Sequence, residues 1–456
     1  MGAKRRKTRQ LAFWPETAGG ARPPGPEGPA ASMAKRETER PATSGEFLME
    51  EVCQESNVKR AYERVKANRG AAGVDGMTVG QLGSALRRSW PEIRRQLLAG
   101  TYEPQPVRRV EIDKPGGGKR ALGIPTALDR VIQQAILQVL QPRWDPTFSD
   151  HSYGFRPGRS AHQAVARAQE YVRAGFGWVV DIDLEKFFDR VNHDMVMGRV
   201  AKRESDKRLL KLLRAYLNAG VMEGGVVSPT TEGTPQGGPL SPLLSNLLLD
   251  DLDRELQKRG HRFVRYADDC NIYVRSERAG HRVMESITRF VTRKLKLKVN
   301  ASKSAVAKPE ARQFLGFTFI RGRRAISPRA QQRFRRKVRT LTRRSGRWSV
   351  AQIVTHLRQY LLGWRNYFGF CQTPWTLRDL DSWIRRRLRC VAWKQWRRGR
   401  CRVAALMQLG VSKALAVCTA GSSHGPWRLS RSRAMSRAMP TSYCTALGLP
   451  RLEPHG

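Results

Sequence analysis

The stretch RFVRYADDCNIYV, residues 262–274, decides the expected fold. Arg262–Tyr266 and Asn271–Val274 both have the β-branched and aromatic composition of strands, and a short acidic segment separates them. This pattern predicts a β-hairpin with acidic side chains at its tip. A second run, WVVDID at 178–183, is short and apolar and ends at Asp183, which favours a buried strand. A strand end beside a hairpin tip would bring three carboxylates together.

These three aspartates suit one kind of chemistry. Asp183, Asp268 and Asp269 offer hard oxygen ligands, and Mg²⁺ binds through one or two carboxylates together with substrate phosphates. Two such ions about 4 Å apart can activate an attacking hydroxyl and hold a phosphate-bearing substrate. An Asp-Asp pair at a turn more often has only a turn-forming role, so the pair alone does not decide between the two interpretations.

The charge points to a polyanionic partner. The 456 residues include 84 Lys or Arg and 39 Asp or Glu, a formal net charge of +45. A compact body of that charge repels itself unless phosphates neutralise it. A genome bias toward arginine is the alternative, but it explains Arg in place of Lys and not the scarcity of acids.

About half of this excess is concentrated in one segment. Residues 321–402 contain 24 Lys or Arg and only two acids, interleaved with tryptophan, tyrosine and phenylalanine. Basic residues alternating with aromatic ones suit phosphate contact and base stacking. An ordinary helical core with solvated arginines would explain most of the tryptophans, but not the missing acids.

Several classes of protein are disfavoured. The sequence contains no run of about 18 uncharged apolar residues, so it predicts no membrane-spanning helix. The basic N-terminus lacks the apolar core of a secretory signal. The seven cysteines show no C-x2-C pair of a zinc site or a disulfide framework. We therefore expect a cytoplasmic protein without a membrane partner.

Changes in composition predict four segments. Residues 1–45 should form a disordered basic tail rich in Pro and Gly, with Met1 and Met33 both possible starts of translation. Residues 46–320 mix helical and strand patterns, 321–403 should be helical, and 404–456 should form a short DNA- or RNA-binding tail.

Hydrophobic spacing predicts individual helices within these segments. One covers Val58–Val65. Another covers Leu128–Leu140 and should end at Pro142, and a third should begin after Ser349 as its N-cap.

Motifs in a fixed order resemble those of group II intron-encoded reverse transcriptases. YADD at 266–269 is similar to the YxDD box of that family, DLEKFFD at 183–189 to its D-block, and GTPQGGPLSPLL at 233–244 to its TPQGG block. Further similar blocks are KRALGIPT at 119–126, YGFRPGRS at 153–160, FLGF at 314–317, an N-terminal extension at 68–79 and a domain X segment at 357–368. The resemblance runs from about Asn57 to Phe319 and continues into the domain X segment.

The resemblance implies a right-hand polymerase of the α/β (α+β) class. Fingers and palm would occupy 46–320, with the extension block near 57–80 and a catalytic β-hairpin, followed by an all-helical thumb and maturase domain X over 321–403. It also implies two Mg²⁺ ions as cofactors. The implied partners are group II intron RNA, an RNA template, a DNA primer and deoxynucleoside triphosphates.

Roles for individual residues follow from the same resemblance. Asp183 and Asp268 would be the main metal ligands, with Asp269 in support and the backbone carbonyl of Leu184 as a further ligand. The neighbouring Asp181 would be structural. Residues around the incoming nucleotide would be Lys114, Arg120, Phe188, Gln236, Gly237 and Lys303, with Phe188 as the steric gate against a 2′-hydroxyl.

Two further sets complete the site. Phe314, Leu315, Gly316 and Phe317 would form the primer grip, which positions the primer 3′ end. RNA-binding residues on the thumb and domain X would be Arg335, Arg336, Arg343, Arg344, Arg358 and Arg365.

The C-terminal part narrows the resemblance. It lacks the paired cysteines of an H-N-H endonuclease, and segments 425–428 and 447–450 resemble the short tail of the bacterial class C branch. The implied function is copying of intron RNA into DNA during retrohoming, with assistance to splicing as a maturase. Two alternatives stay open: an RNA-binding splicing factor with an idle polymerase site, and a reverse transcriptase of the same lineage redeployed in defence or diversification.

Overall fold

The computed structural model describes residues 47–113, 118–223, 225–228, 232–234, 237–343 and 348–453. The predicted tail at 1–45 and the predicted site residues Lys114, Gln236 and Arg344 lie outside the described residues.

The helices are distributed along the whole described chain. They are α1 Leu48–Val52, α2 Glu55–Ala67, α3 Val79–Ala99, α4 Ala127–Trp144, α5 Ala161–Arg173, α6 His193–Ala201, α7 Lys207–Asn218, α8 Ser241–Lys258, α9 Glu277–Lys294, α10 Pro328–Leu341, α11 Val350–Phe368, α12 Pro374–Gln395, α13 Gly399–Gln408, α14 Lys413–Ala420, α15 Pro426–Leu429, α16 Arg433–Ala438 and α17 Thr441–Ala446. Short 3-10 turns occupy Asp145–Thr147 and Phe187–Asp189. Among the helices of the described residues, none is long and apolar enough to cross a membrane.

The strands form two four-stranded sheets and one hairpin. They are β1 Val107–Asp113, β2 Lys119–Ile124, β3 Trp178–Asp183, β4 Val221–Glu223, β5 Val226–Ser228, β6 Arg262–Tyr266, β7 Asp269–Val274, β8 Ala305–Ala307, β9 Phe317–Ile320 and β10 Arg323–Ile326. One sheet has the order β2-β1-β4-β5, the other β6-β7-β3-β8, and β9 pairs with β10. Every pair in the β6-β7-β3-β8 sheet is antiparallel.

The chain divides into two compact units. Unit 1 contains residues up to Ser149, Leu184–Arg254 and Phe290–Lys298. Its first sheet is accompanied by a helical core in which α2 packs on α4. The amide of Asn57 on α2 ties the two helices by donating to the carbonyl of Ala135 at 3.1 Å.

Unit 2 contains Asp150–Asp183, Glu255–Arg289 and Val299–Gly456. Its largest apolar cluster runs from the β6-β7-β3-β8 sheet through Phe317 on β9 to buried side chains of α10, α11 and α12. A second cluster joins the end of α12 to α13, α14 and α16. The Arg-rich helices therefore share one continuous core with the acidic sheet.

The helix predictions are confirmed in position, with one error at a helix end. α2 covers the predicted Val58–Val65, and the Ser349 hydroxyl accepts from the Gln352 N–H as the N-cap of α11. The prediction that Pro142 ends α4 is wrong, because the helix continues to Trp144. Pro142 removes only one bond of the last turn, and the buried Trp144 indole anchors that turn by donating to Glu204 at 2.7 Å.

The structure also differs from the sequence-based prediction at two segment boundaries, near residues 320 and 404. Strand structure continues past 320, since β10 pairs with β9 across the predicted boundary of the helical segment. The segment after 404 is folded: α13 runs across the predicted boundary, α14–α17 follow it, and Leu452 is fully buried. Its backbone is anchored by Asp381 on α12, which accepts from the Leu452 N–H at 3.1 Å.

Candidate active site

The hairpin β6–β7 presents the two consecutive aspartates differently. Tyr266 pairs with Asp269, so the turn consists of Ala267 and Asp268 only. The sequence pattern predicts Asp269 at the hairpin tip. In the structure it is instead the first residue of β7. Ala267 has φ +57, a conformation that costs a non-glycine residue energy and needs support from its surroundings.

The neighbouring strand brings the third aspartate into register. β3 pairs with β7 so that Asp183 lies directly opposite Asp269. Cross-strand partners in an antiparallel pair have Cβ atoms about 5 Å apart. The sheet therefore brings together Asp183, Asp268 and Asp269, as the pattern of strands predicts.

A buried arginine supports the strained turn. Arg265 is only 1% exposed. Its Nη1 donates to the carbonyl of Ala267 at 2.9 Å and its Nη2 to Oγ of Ser152 at 2.7 Å. Ser152 lies on a segment that pairs with β6, and a Cβ at the nearby Gly154 would stand 2.2 Å from the Ala267 nitrogen. Gly154 of the YGFRPGRS motif thus lies directly against the backbone of the Ala267–Asp268 turn.

The carboxylates crowd one another electrostatically. Burial and the negative charges of Asp268, Asp181 and Asp183 raise the pKa of Asp269 to about 7, whereas Lys303 lowers it. The Asp269 side chain still reaches solvent, because it lines an open cleft. Repulsion from the three neighbouring carboxylates therefore acts on Asp269 together with its partial dehydration. A cluster of this kind is stabilised by any cation that enters it.

Asp181 is held by an arginine that the sequence reading did not single out. Arg312 donates to Oδ2 of Asp181 from Nε at 2.9 Å and from Nη2 at 2.5 Å, and it also donates to the carbonyl of Lys303. Burial raises the pKa of Asp181, and Arg312 opposes that shift. This ion pair agrees with the structural role expected of Asp181.

Asp183 keeps an oxygen available. Its Oδ2 is buried and accepts no hydrogen bond from the described residues, while the Nζ of Lys303 lies 3.2 Å away without hydrogen-bond geometry. Within the described residues, no three acidic, histidine or cysteine side chains form a group that would hold an ion unaided. Mg²⁺ commonly takes its remaining ligands from water and substrate phosphates, so the available oxygen and the carboxylate crowding fit that ion.

The acidic sheet opens into a cleft of about 760 Å³ within unit 2. Asp183, Asp269 and Lys303 form one wall, and Leu315 and Gly316 form another. Lys303 is 67% exposed, which leaves its ammonium free to move toward a negatively charged substrate. Arg329 and Arg333 of α10 also line the cleft.

The FLGF segment forms a second tight turn beside this cleft. Phe314 and Phe317 exchange backbone hydrogen bonds of 2.8 and 2.9 Å. The two residues between them, Leu315 and Gly316, have φ +52 and +84. The predicted primer-grip residues thus lie around one two-residue turn.

Unit 1 contains the other predicted nucleotide-binding residues. Phe187 is buried, whereas Phe188 is half-buried and lines a cleft of about 330 Å³ together with Gly123. Arg120 is exposed on β2, and Leu184 is buried. Gly237 has φ +147, and a Cβ there would stand 2.6 Å from the Gly123 carbonyl, so only glycine fits.

The predicted RNA-binding arginines differ in exposure. Arg336, Arg343 and Arg358 are exposed, whereas Arg335 and Arg365 are half-buried. Arg365 donates to the carbonyl of Arg451 at 3.3 Å, so part of its hydrogen-bonding capacity is used within the protein.

The sequence reading missed three supporting residues: Arg265, Arg312 and Tyr367, whose hydroxyl donates to the Leu315 carbonyl at 2.8 Å. Arg265 follows two apolar residues in the middle of β6, next to the aspartates, which is an available signal because charged residues are rarely buried without a partner. Arg312 and Tyr367 have no comparable signal, since their partners are distant in the chain.

Comparison with known families gives two matches on this chain. Residues 112–319 match the family "Reverse transcriptase (RNA-dependent DNA polymerase)", and residues 331–410 match "Group II intron, maturase-specific domain". The chain belongs to the reverse transcriptases that carry a group II intron maturase domain. The predicted family and the predicted mixture of α/β and helical parts are confirmed.

Individual members of this family are similar over different lengths. Protein YkfC of Escherichia coli K12 is 33% identical over 62% of this chain and 84% of its own length. The group II intron-encoded protein LtrA of Lactococcus lactis subsp. cremoris is 37% identical over 42% of this chain and 32% of its own. A 91 kDa protein in the cob intron of Schizosaccharomyces pombe is 32% identical over 43% of this chain and 24% of its own. The match thus spans about a third or less of the two intron-encoded relatives.

Proposed function

We propose that this chain is an RNA-directed DNA polymerase encoded by a group II intron, which copies intron RNA into DNA during retrohoming and assists splicing as a maturase. In the reaction, a primer 3′-hydroxyl attacks the α-phosphate of a deoxynucleoside triphosphate on an RNA template and releases pyrophosphate. The observation that carries the proposal is the register of Asp183 against Asp269 beside the Asp268 turn, in a chain of this family. The protein would act in the cytoplasm as a ribonucleoprotein.

Asp183 and Asp268, with Asp269 and the Leu184 carbonyl, would hold two Mg²⁺ ions. When bound, these ions favour the ionised hydroxyl and offset the charge of the triphosphate. Lys303, close to Asp183, supplies a positive charge for the leaving pyrophosphate.

Other residues of the chain orient the substrates. Arg120 and Lys114 would clasp the triphosphate, with Gln236 and Gly237 beside the nucleotide. Phe188 would exclude a 2′-hydroxyl by its bulk. Phe314 to Phe317 would hold the primer end in line with the α-phosphate, and such positioning supplies much of the rate in phosphoryl transfer.

Primer extension on an RNA template tests the polymerase. Asp268→Ala should lower the extension rate by about 10³-fold or more, because it removes a charge that acts on the reacting phosphate. RNA affinity should stay within about twofold, since the arginine surface is unchanged. The matched control is Asp194→Ala, which loses only an exposed ion pair with Arg214 and should extend normally.

Each result has a defined meaning. Undiminished extension by purified Asp268→Ala protein would refute the proposed active site. Absence of extension by the wild-type protein, combined with assistance to intron splicing, would identify an RNA-binding splicing factor instead. Extension by a protein whose coding region lies outside any intron ribozyme would indicate redeployment in defence or diversification.

The maturase part is tested by salt titration of RNA binding. The charge excess predicts that log Kd rises linearly with log salt concentration. Arg336→Gln and Arg358→Gln, two exposed positions, should each reduce the slope by about one if they contact phosphates. A response that is flat in salt would indicate that the excess charge has no role in RNA binding.

A further inference from the structure

The turn at Phe314–Phe317 is conformationally expensive and is held from several sides. Leu315 adopts φ +52, a left-handed region that is unfavourable for a branched non-glycine residue. The Gly316 carbonyl accepts from the Ser327 N–H at 3.0 Å, which ties the turn to the start of α10. Such a conformation persists only because the surrounding structure fixes it.

The strongest of these supports comes from α11. The hydroxyl of Tyr367 donates to the carbonyl of Leu315 at 2.8 Å. The next residue, Phe368, closes the other side, since a Cβ at Gly316 would stand 3.1 Å from two atoms of its ring. Tyr367 itself is fixed, because its own carbonyl bonds to Nε2 of His162 at 2.7 Å and its ring lies 5.7 Å from that of Phe317.

These contacts join two segments of the chain that match different protein families. Leu315 lies within the part of the chain that matches reverse transcriptases, and Tyr367 lies within the part that matches the maturase-specific domain. Leu315 and Gly316 line the same cleft as Asp183 and Asp269. A side chain of the maturase segment therefore fixes one wall of the polymerase cleft.

We propose that Tyr367 is a positioning residue of the polymerase: through the Leu315 carbonyl it sets the turn on which the primer 3′ end rests. This role rests on the proposed polymerase function. Tyr367 lies behind the turn and acts only through it, so losing its hydroxyl should weaken engagement of the primer–template and leave nucleotide binding unchanged.

Steady-state primer extension on an RNA template tests this role. Tyr367→Phe removes one oxygen and keeps the ring. The KM for primer–template should rise about fivefold, the amount expected for one neutral hydrogen bond, while the KM for deoxynucleotide and the Tm stay near the wild-type values. The control is Tyr360→Phe on the same helix, whose ring stacks on Phe334 and whose hydroxyl makes no hydrogen bond within the described residues. It should match the wild type in both KM values.

A second variant tests the turn independently of the hydroxyl. Gly316→Ala puts a methyl group against Phe368 at a positive φ, so it should raise the same KM by more than Tyr367→Phe does. The role is overturned if Tyr367→Phe equals Tyr360→Phe in primer–template KM. It is also overturned if both KM values and the Tm worsen together, which is the mark of a purely structural contact.

The two levels of the proposal fail differently. If the wild-type protein extends no primer, the polymerase function is wrong and the role of Tyr367 falls with it. If the wild-type protein extends primers and Tyr367→Phe behaves like the control, only the positioning role is wrong.

Discussion

Asp269, directly after one tight turn, and Leu315 and Gly316, within another, line the same cleft, and the two turns are held in opposite ways. Both place a non-glycine residue at positive φ, Ala267 at +57 and Leu315 at +52. Both have the carbonyl of that residue bound by a side chain, at 2.9 Å from Arg265 and at 2.8 Å from Tyr367. Arg265 sits in the strand that enters its own turn, whereas Tyr367 lies 52 residues away from Leu315 on a separate helix.

The difference shows which turn can respond to the rest of the protein. The aspartate turn is fixed by a buried cation within its own sheet, so the side chain that binds its carbonyl does not come from the Arg-rich helices. The FLGF turn is fixed by a neutral hydroxyl on α11, so any shift of that helix reaches it directly. The support of the aspartate turn is therefore local, while the support of the FLGF turn comes from a helix of the Arg-rich segment.

Removing the buried cation should have the largest effect. Arg265→Met leaves the Ala267 carbonyl and the Ser152 hydroxyl without their charged donor, and hydrogen bonds to charged groups are worth about 1.5–3 kcal/mol each. We expect the free energy of unfolding to fall by about 3 kcal/mol and kcat to fall at least tenfold. Chemical denaturation and primer extension measure the two.

The control for this prediction lies on the same strand. Arg262→Met changes an exposed position and should alter stability by less than about 0.5 kcal/mol. Equal stability of the two variants would mean that Arg265 does not hold the turn.

Filling the space beneath the aspartate turn should have an intermediate effect. Gly154→Ala forces a methyl group to within 2.2 Å of the Ala267 backbone, and overpacking of this kind costs about 1–3 kcal/mol. We expect kcat to fall with little change in the KM for primer–template, the reverse of the pattern expected for Tyr367→Phe. Gly177→Ala, whose new Cβ would meet only the Lys308 ammonium at 3.9 Å, serves as the matched control.

Comparing Gly154→Ala with Tyr367→Phe tests whether the two turns affect different kinetic constants. If Gly154→Ala and Tyr367→Phe change the same kinetic constant, the two turns are not independent supports of different substrates.

The smallest effect should come from Ser152→Ala. It removes one acceptor of Arg265 while the bond to Ala267 persists, so stability should fall by about 1 kcal/mol and kcat by less than tenfold. Ser89→Ala, which loses an exposed bond to the Ala85 carbonyl, should leave both unchanged. A loss from Ser152→Ala as large as that from Arg265→Met would show that the serine, and not the cation, fixes the turn.

The parts that sequence could predict are those encoded locally. The short apolar run at 178–183 predicted β3, the β-branched and aromatic composition of 262–266 predicted β6, and the order of motifs predicted the family. The start of β7 at Asp269 was missed, because the register with Tyr266 decides it and not the residue's own low strand propensity. The sequence predicts that Pro142 ends α4. In the structure, burial of the Trp144 side chain stabilises the last turn by more than the loss of one backbone hydrogen bond destabilises it.

The supporting contacts of the site were beyond prediction for a related reason. Arg312 donates a hydrogen bond to Asp181, which lies 131 residues away in the chain. Tyr367 lies in the segment that matches the maturase-specific domain, whereas its partner Leu315 lies in the segment that matches the reverse transcriptases. Nothing in the composition around either residue indicates its partner. Such pairs depend on the tertiary fold, so the sequence indicated the aspartates but not what holds them in place.

The strand order of the acidic sheet also bears on how the protein is made. β3 lies between β7 and β8, and the Asp183 N–H bonds to Oγ of Ser304, 121 residues later in the chain. Contacts this distant form slowly, because a long loop must close before they are rewarded. During synthesis, β3 therefore emerges from the ribosome before β7 and β8, so its apolar residues are at first without their partner strands. Because β8 ends at Ala307, the acidic sheet cannot be completed until the first 307 of the 456 residues have been translated.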